Sequence, residues 1–173
     1  QQLLTGRTRL PGFSGEWEVK KLGEIADIAM GRTPSRSELA FWGHGHKWLS
    51  IADLHAKYVG ETNEEITDLG AVGMLVIPVG TLVMSFKLSI GRLAFITCDM
   101  YSNEAICHFL DLECDGEYLY YLLSQTDFSQ YGKQAVKGYT LNSESLKSVA
   151  VLLPLLPEQR AIAAVLSDMD AEI

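Results

Sequence analysis

The 173-residue chain lacks long apolar runs. A membrane-spanning helix needs roughly 20 apolar residues, whereas the best run here, 149–156, is short and contains Pro154. The N-terminus lacks the apolar core and the small-residue cleavage site of a signal peptide. Cysteine is also scarce, and Cys98, Cys107 and Cys114 form no C-x-x-C pair. These absences predict a cytoplasmic protein with no membrane span, whose three thiols are ordinary buried side chains.

The sequence also lacks the common motifs of catalysis and nucleotide binding. G-x-G-x-x-G after a strand, G-x-x-x-x-G-K-[ST], G-x-S-x-G and H-E-x-x-H are all missing. So are an Asn-Pro-Pro-aromatic methyl-transfer motif and an Asp…Glu-x-Lys nuclease core. His44 and His46 form an H-x-H pair, but no neighbouring Cys or third His completes a metal site. We therefore expect no metal, no cofactor and no catalysis by this chain, which favours a binding domain.

Over the whole chain, basic residues are fewer than acidic ones. The chain has 14 Lys and Arg against 22 Asp and Glu, which gives a net charge of −8. Taken alone, this balance argues against non-specific binding of nucleic acid, which depends on excess positive charge. The apolar fraction of 47% excludes bulk disorder, and the length fits one domain with a real core.

Hydrophobic spacing predicts a mixture of strands and short helices. Two β-rich runs, 81–86 and 92–97, flank a polar turn and predict a hairpin. The Tyr- and Leu-rich segment 116–125 predicts a buried helix, and 127–135 predicts a second, shorter one. Trp42 and Trp48 are expected to anchor the core or a loop rather than to stack on bases.

The last segment has the clearest periodicity. A helix is expected from Pro157 onward, since proline is well tolerated in the first helical turn. Apolar residues then recur every three to four positions and form a seam: Ile162, Val165 or Leu166, Met169 and Ile173. A short helix with one apolar seam is marginal in water, so we expect it to continue beyond this chain and to pair with another helix.

Several short motifs follow one another along the chain. In order they are Trp17-Glu-Val-Lys-Lys-Leu-Gly-Glu-Ile-Ala26, Gly31-Arg-Thr-Pro-Ser35, Trp48-Leu-Ser-Ile-Ala-Asp53, Ile77-Pro-Val-Gly-Thr81, Ser85-Phe-Lys-Leu-Ser-Ile-Gly-Arg92, Asn103-Glu-Ala105, Lys137-Gly-Tyr-Thr-Leu-Asn142 and Leu153-Pro-Leu-Leu-Pro-Glu-Gln-Arg-Ala-Ile-Ala163. Most are weak alone, but in this order they resemble the target recognition domain of type I restriction–modification specificity (S) subunits. The resemblance covers nearly the whole chain.

The resemblance implies a fold and a division of the chain. The expected fold class is α/β (α+β), with a mixed, strongly bent and mostly antiparallel sheet, short helices and a protruding C-terminal helix of the coiled-coil type. Residues 1–15 would be the end of a conserved helix and a linker, 16–155 the recognition domain, and 156–173 the start of the next conserved helix. The chain would then be the second recognition domain of its subunit, cut from the middle.

The resemblance also implies a function without catalysis. Such a domain reads one half of a split target in double-stranded DNA. The conserved helices pair and hold the methyltransferase (modification) subunits, while a separate restriction motor subunit cleaves. Glu104 departs from the family pattern, in which we expect Gln after the Asn; a carboxylate there either alters base preference or faces solvent.

The charges divide unevenly when they are sorted by motif. Segments 31–50, 84–92 and 129–143 sum to +6, whereas the rest of the chain sums to −14. If these segments converge, they form a basic DNA-binding face with an acidic back. Each basic residue is otherwise a solvated surface charge. The predicted DNA-binding residues are Arg32, Thr33, Lys47, Lys87, Ser89, Arg92, Lys133, Lys137, Tyr139 and Thr140.

Two other functions stay open at this point. The chain is alternatively the recognition domain of a fused restriction–methylation protein, in which case it would lie downstream of a methyltransferase. It is otherwise a protein–protein module whose C-terminal helix assembles a complex with no DNA contact.

Overall fold

The computed structural model describes residues 2–135 and 138–171. Their α-helices are α1 (Leu22–Ile25), α2 (Asp68–Ala71), α3 (Gly116–Ser124), α4 (Ser143–Lys147) and α5 (Leu156–Ala171). Their strands are β1 (Glu18–Lys21), β2 (Asp27–Met30), β3 (Trp42–Leu49), β4 (Tyr58–Val59), β5 (Glu64–Ile66), β6 (Leu82–Ser85), β7 (Leu93–Ile96), β8 (Tyr101–Ser102), β9 (Ile106–Leu110), β10 (Lys133–Ala135), β11 (Gly138–Thr140) and β12 (Ala150–Leu153). None of these helices has both the length and the apolar character that a bilayer crossing requires.

The strands pair mainly in antiparallel fashion. A five-stranded sheet has the order β2-β9-β6-β7-β4, and a three-stranded sheet has the order β5-β3-β8. The pairs β1–β12 and β10–β11 stand apart from both. Only β3–β8 and β4–β7 are parallel among the pairings of the described strands. The predicted mixed α/β class is thus confirmed, with strands divided among four sheets where the sequence suggested one bent sheet.

Several elements follow the predicted hydrophobic pattern. The predicted hairpin is the antiparallel pair β6–β7, and the Tyr-rich segment forms α3, which Asp115 caps by accepting a hydrogen bond from the Tyr118 amide. The short helix predicted for 127–135 is wrong. Asp127 closes a single 3₁₀ turn at 128–130 by accepting from the Ser129 amide, and Gly132 and strand β10 follow, since glycine disfavours a continuing helix.

The core lies on both faces of the five-stranded sheet. Successive side chains of a strand point to opposite faces, so Leu82 and Met84 of β6 enter the larger cluster while Val83 enters a smaller one on the other side. The larger cluster also contains Tyr118 of α3 and Ile162 of α5. Strand β6 is therefore buried along its whole length, which explains why its sequence has no polar–apolar alternation.

A buried carboxylate joins the two ends of the chain. Glu158 in the first turn of α5 is only 2% exposed. It accepts two hydrogen bonds from the Arg9 guanidinium, both at 2.7 Å, and a third from the Trp17 indole at 3.2 Å. Arg9 in turn donates to the Gly15 carbonyl. The N-terminal segment is thereby fixed against the start of α5.

The neighbouring glutamine fixes α5 to α3. The Gln159 side chain accepts a hydrogen bond from the Asp115 amide and donates one to the Pro154 carbonyl, each at 2.8 Å. Leu4 from the N-terminal segment lies in the same core cluster as Ile162. The predicted boundaries at 1–15, 16–155 and 156–173 stay a prediction, but the outer two segments pack against the body rather than standing apart from it.

A buried histidine connects two of the sheets. His108 of β9 lies with its Nε2 2.6 Å from the Ser102 hydroxyl of β8, so the pair bridges the five-stranded and three-stranded sheets. Burial lowers the pKa of His108 to about 4, which keeps the imidazole neutral at neutral pH.

We expect Arg9→Ala to lower the free energy of unfolding by about 2–3 kcal/mol, because it leaves the buried Glu158 carboxylate without its cation. Arg7→Ala is the matched control, since Arg7 is exposed in the same segment and should change stability by less than about 0.5 kcal/mol. Urea unfolding followed by tryptophan fluorescence measures both. Equal effects of the two substitutions would contradict the role assigned to the Arg9–Glu158 pair.

We expect stability to fall between about pH 6.5 and pH 4 because of His108. The unfolded imidazole takes up a proton near pH 6.5, whereas the folded one does so only near pH 4. The stabilisation is therefore complete above pH 6.5 and is lost on acidification, with a slope of up to about 1.4 kcal/mol per pH unit. Urea unfolding of His108→Gln should show a flatter pH profile, whatever its overall offset. His55→Gln, at an exposed histidine, should keep the wild-type slope; a steep profile in His108→Gln would rule the assignment out.

Candidate nucleic-acid interface

Two of the basic segments meet at the turn between β8 and β9. The loop at 31–35 reaches this turn through the Arg32 amide, which donates to the Ser102 carbonyl at 2.8 Å. The tip of the β6–β7 hairpin reaches it through the Phe86 amide, which donates to the Ala105 carbonyl at 3.0 Å. Backbone hydrogen bonds thus bring together loops that are about fifty residues apart in the sequence.

Glycine is required at the first of these contacts. A Cβ atom on Gly31 would lie 2.0 Å from the Ser102 carbonyl oxygen, which is closer than non-bonded atoms can come. Glycine, which has no Cβ atom, permits this close contact between the two backbones. The loop also rests on Trp48, which is 2% exposed and donates its indole N–H to the Arg32 carbonyl at 3.1 Å. Trp48 is therefore an anchor of the core, as predicted.

The hairpin tip is held by its own hydrogen bonds. The Ser85 hydroxyl donates to the Ser89 carbonyl at 2.6 Å and accepts from the Arg92 amide at 3.1 Å. Ser89, between the two strands, has a left-handed backbone with φ of 47°. At Gly91, a Cβ atom would lie 3.4 Å from the Phe128 ring. The tip therefore packs against the 3₁₀ turn that opens the third basic segment.

Most of the predicted contact residues with described side chains lie on the surface. Arg32, Lys87, Ser89, Arg92 and Thr140 are exposed, and Thr33 is half-buried. Over residues 2–135 and 138–171, no carboxylate lies within ion-pair distance of Lys87 or Arg92.

The remaining predictions fall partly on residues that the structure does not describe. Lys133 and Tyr139 lie on strands β10 and β11, which pair as an antiparallel hairpin, but their side chains are outside the described set. Lys137 lies outside the described residues altogether, as does Ile173.

Two cations of the basic segments are already paired. Lys47 forms an ion pair with Glu61, whose carboxylate raises the lysine pKa. Arg36 donates to both oxygens of Glu64 at 2.5 and 3.0 Å, and its guanidinium lies 3.8 Å from the centre of the Trp42 ring. Antiparallel pairing of β3 with β5 places Glu64 opposite Trp48, and Glu61 lies three residues before it. Lys47, predicted as a DNA contact, is therefore not a free cation, and its partner could not be identified from local sequence.

Glu104 lies at the meeting point of the segments. Its carboxylate accepts a hydrogen bond from the Thr33 hydroxyl at 2.5 Å. That bond, backbone N–H groups of the two residues and the charge of Lys87 hold the pKa of Glu104 below its usual range. Glu104, the residue that departs from the family pattern, is thus held in a defined position. Thr33 and Glu104 are 71 residues apart, which explains why local sequence patterns did not predict their hydrogen bond.

The histidine pair at the β3 bulge lies beside two carboxylates. His44 lies 2.8 Å from Glu65, and His46 lies 2.7 Å from Asp68. Among the residues that the structure describes, no three His, Cys, Asp or Glu side chains are grouped closely enough to hold an ion.

The apolar seam of α5 is used partly inside this chain. Ile162 is fully buried in the larger core cluster, together with Tyr118 and Leu119 of α3. Its predicted role in pairing with another helix is therefore corrected, since its side chain is already covered within this chain. Val165 is half-buried and Met169 is 57% exposed. The Tyr121 hydroxyl donates to Asp170 at 2.8 Å and holds the last described turn against α3. The part of the seam that stays accessible is therefore its C-terminal half.

Comparison with known proteins shows the family of this chain. The sequence-family model of the type I restriction modification DNA specificity domain matches residues 14–173 of this chain. The chain is 30% identical over 164 residues to the type I restriction enzyme MjaIX specificity subunit of Methanocaldococcus jannaschii, and 26% identical over 146 residues to the HindI specificity subunit of Haemophilus influenzae. These alignments cover 90% and 80% of this chain but 38% and 32% of the two relatives.

Solved structures share the fold. The HsdS subunit from Thermoanaerobacter tengcongensis superposes with a TM-score of 0.68 and 22% identity over 99% of this chain and 42% of that one. A chain from a study of type I R-M complex assembly and conformational transition gives a TM-score of 0.74 at 20% identity, covering 98% of this chain and 43% of that one. The S subunit from M. genitalium gives 0.63 at 17% identity, over 95% and 41%. Since the family match spans nearly the whole sequence, this chain belongs to the family of the type I restriction modification DNA specificity domain.

Proposed function

We propose that this chain reads one half of a bipartite sequence in double-stranded DNA, as the non-catalytic recognition domain of a type I specificity subunit. The observation that carries the proposal is the convergence of the 31–35 loop and the β6–β7 tip on one turn, with Lys87 and Arg92 exposed and free of ion pairs in the described structure. Exposed cations would contact phosphates, and side chains on the same loops would contact base edges.

The partners follow from the same proposal. The accessible end of the α5 seam, at Val165 and Met169, would pair with another conserved helix and help to hold the methyltransferase subunits. The restriction motor subunit would join the complete complex. A role on chromosomal DNA also accords with the cytoplasmic location predicted from the sequence.

We expect Lys87→Ala and Arg92→Ala to weaken specific DNA binding and to flatten its salt dependence. Each lost phosphate contact should reduce the slope of log K against log salt by about 1. The assay is a mobility shift of the specificity subunit reconstituted with methyltransferase subunits, over a range of salt concentrations. Lys137→Ala tests the third segment in the same way.

Arg7→Ala serves as the control for these variants, because Arg7 is exposed but lies outside the three segments. It removes the same charge and should leave the salt slope unchanged. Unaltered binding and slope in both Lys87→Ala and Arg92→Ala would mean that the DNA-binding face is elsewhere, and would favour the protein–protein module.

We expect Met169→Glu to weaken assembly with methyltransferase subunits roughly tenfold, because a carboxylate would be buried in an apolar contact without a partner. The folded chain itself should tolerate the change, since Met169 is 57% exposed. Asp168→Ala, at the adjacent exposed position, is the control. Sedimentation or size-exclusion titration measures assembly, and equal affinity of all three proteins would remove α5 from the subunit interface.

A further inference from the structure

Glu104 is held in place by its own turn. The Asn103 amide donates to the Leu49 carbonyl at 3.0 Å, and the Asn103 side chain accepts from the Ala105 amide at 3.0 Å. These bonds attach the turn to the end of β3 and fix its path. Glu104 is exposed at the turn, so its carboxylate projects from a backbone whose path these hydrogen bonds define.

The side chain is also oriented from a second loop. The Thr33 hydroxyl donates to Glu104 at 2.5 Å, and Thr33 itself follows Arg32, whose amide is fixed to Ser102. Lys87 lies close enough for its charge to act on the carboxylate. A carboxylate oriented by Thr33 therefore lies within the electrostatic range of the Lys87 ammonium.

A carboxylate at this position selects against phosphate and for a hydrogen-bond donor. On the major-groove edge of DNA, the donors are the N4 amine of cytosine and the N6 amine of adenine. The adenine amine lies between two acceptors, N7 of adenine and O4 of thymine, and both would repel a carboxylate. The cytosine amine has an acceptor on one side only, the O6 of its guanine.

The neighbouring lysine matches the same base pair. A Lys ammonium donates well to O6 and N7 of guanine. Glu104 would accept from the N4 amine of cytosine, and Lys87 would donate to O6 and N7 of the paired guanine. This order of protein acceptor and donor matches the order of donor and acceptors along the major-groove edge of a C·G pair. An A·T pair would place a second acceptor against the carboxylate.

We propose that Glu104 is a specificity-determining residue that accepts a hydrogen bond from the N4 amine of a cytosine in the recognised half-site. Thr33 is a positioning residue, since it acts through the carboxylate that it orients. This inference rests on the proposed DNA-reading function and deepens it by naming one base.

The test is selection from a random double-stranded DNA library by the complete specificity subunit with its methyltransferase subunits. The wild-type complex should require cytosine at one position of the half-site that this domain reads. Glu104→Gln should reduce the preference for cytosine at that position roughly tenfold, because an amide can both donate and accept. Every other position, and the other half-site, should keep its preference.

Three further variants separate a readout role from a structural one. Thr33→Val, which loses the hydroxyl, should weaken the preference for cytosine a few-fold, and Thr33→Ser, which retains it, should restore the wild-type profile. Glu18→Gln makes the same change in net charge at an exposed residue of β1 and should leave the profile unchanged.

Several results would overturn the inference. They are a half-site without any cytosine requirement, a Glu104→Gln profile identical to wild type, and a uniform loss of affinity at all positions in that variant. Failure of the underlying function has a different signature, because Lys87→Ala and Arg92→Ala would then leave binding and its salt slope unchanged. If those two variants weaken binding and Glu104→Gln leaves the profile unchanged, only the readout role of Glu104 is refuted.

Discussion

The fold depends on a carboxylate that has been removed from water. An ionised glutamate at 2% exposure is costly unless its hydrogen bonds are complete. Here the Glu158 carboxylate accepts hydrogen bonds from Nε and Nη2 of Arg9 and from the indole N–H of Trp17. Because these donors come from the N-terminal segment and the acceptor from the start of α5, the interaction sets where the chain enters the body and where it leaves.

The contact between Arg9 and Glu158 is connected to the rest of the fold through α5 and α3. Gln159 extends it to α3, and α3 packs on the five-stranded sheet, whose central strand β6 is buried on both faces. The hairpin tip at the end of β6 and the turn before β9 are thus supported by two deeply buried strands. Loops that must hold base-contacting groups within hydrogen-bond distance benefit from such support.

The sequence predicted those helices and strands whose pattern lies within a short stretch of residues. The hairpin β6–β7 and helix α3 were predicted because two β-rich runs around a turn, and apolar residues at helical spacing, are visible within short stretches of sequence. The positions of charged partners were not predictable in this way. Arg9 and Glu158 are 149 residues apart, and Thr33 and Glu104 are 71 apart, so their pairing depends on the tertiary fold. Lys47 is an example: the sequence predicted it as a DNA contact, whereas in the fold it pairs with Glu61, just before β5, and lies opposite Glu65 of β5.

The contact between Gly31 and Ser102 has a consequence for evolution. The backbones touch there so closely that any side chain at 31 would push the loop away from the sheet. The contact therefore fixes the distance between this loop and the β8 backbone. Under the proposed function, the side chains at 32, 33 and 35 could be exchanged without changing this backbone contact, so a different target preference would need substitutions only, with no insertion or deletion in this loop.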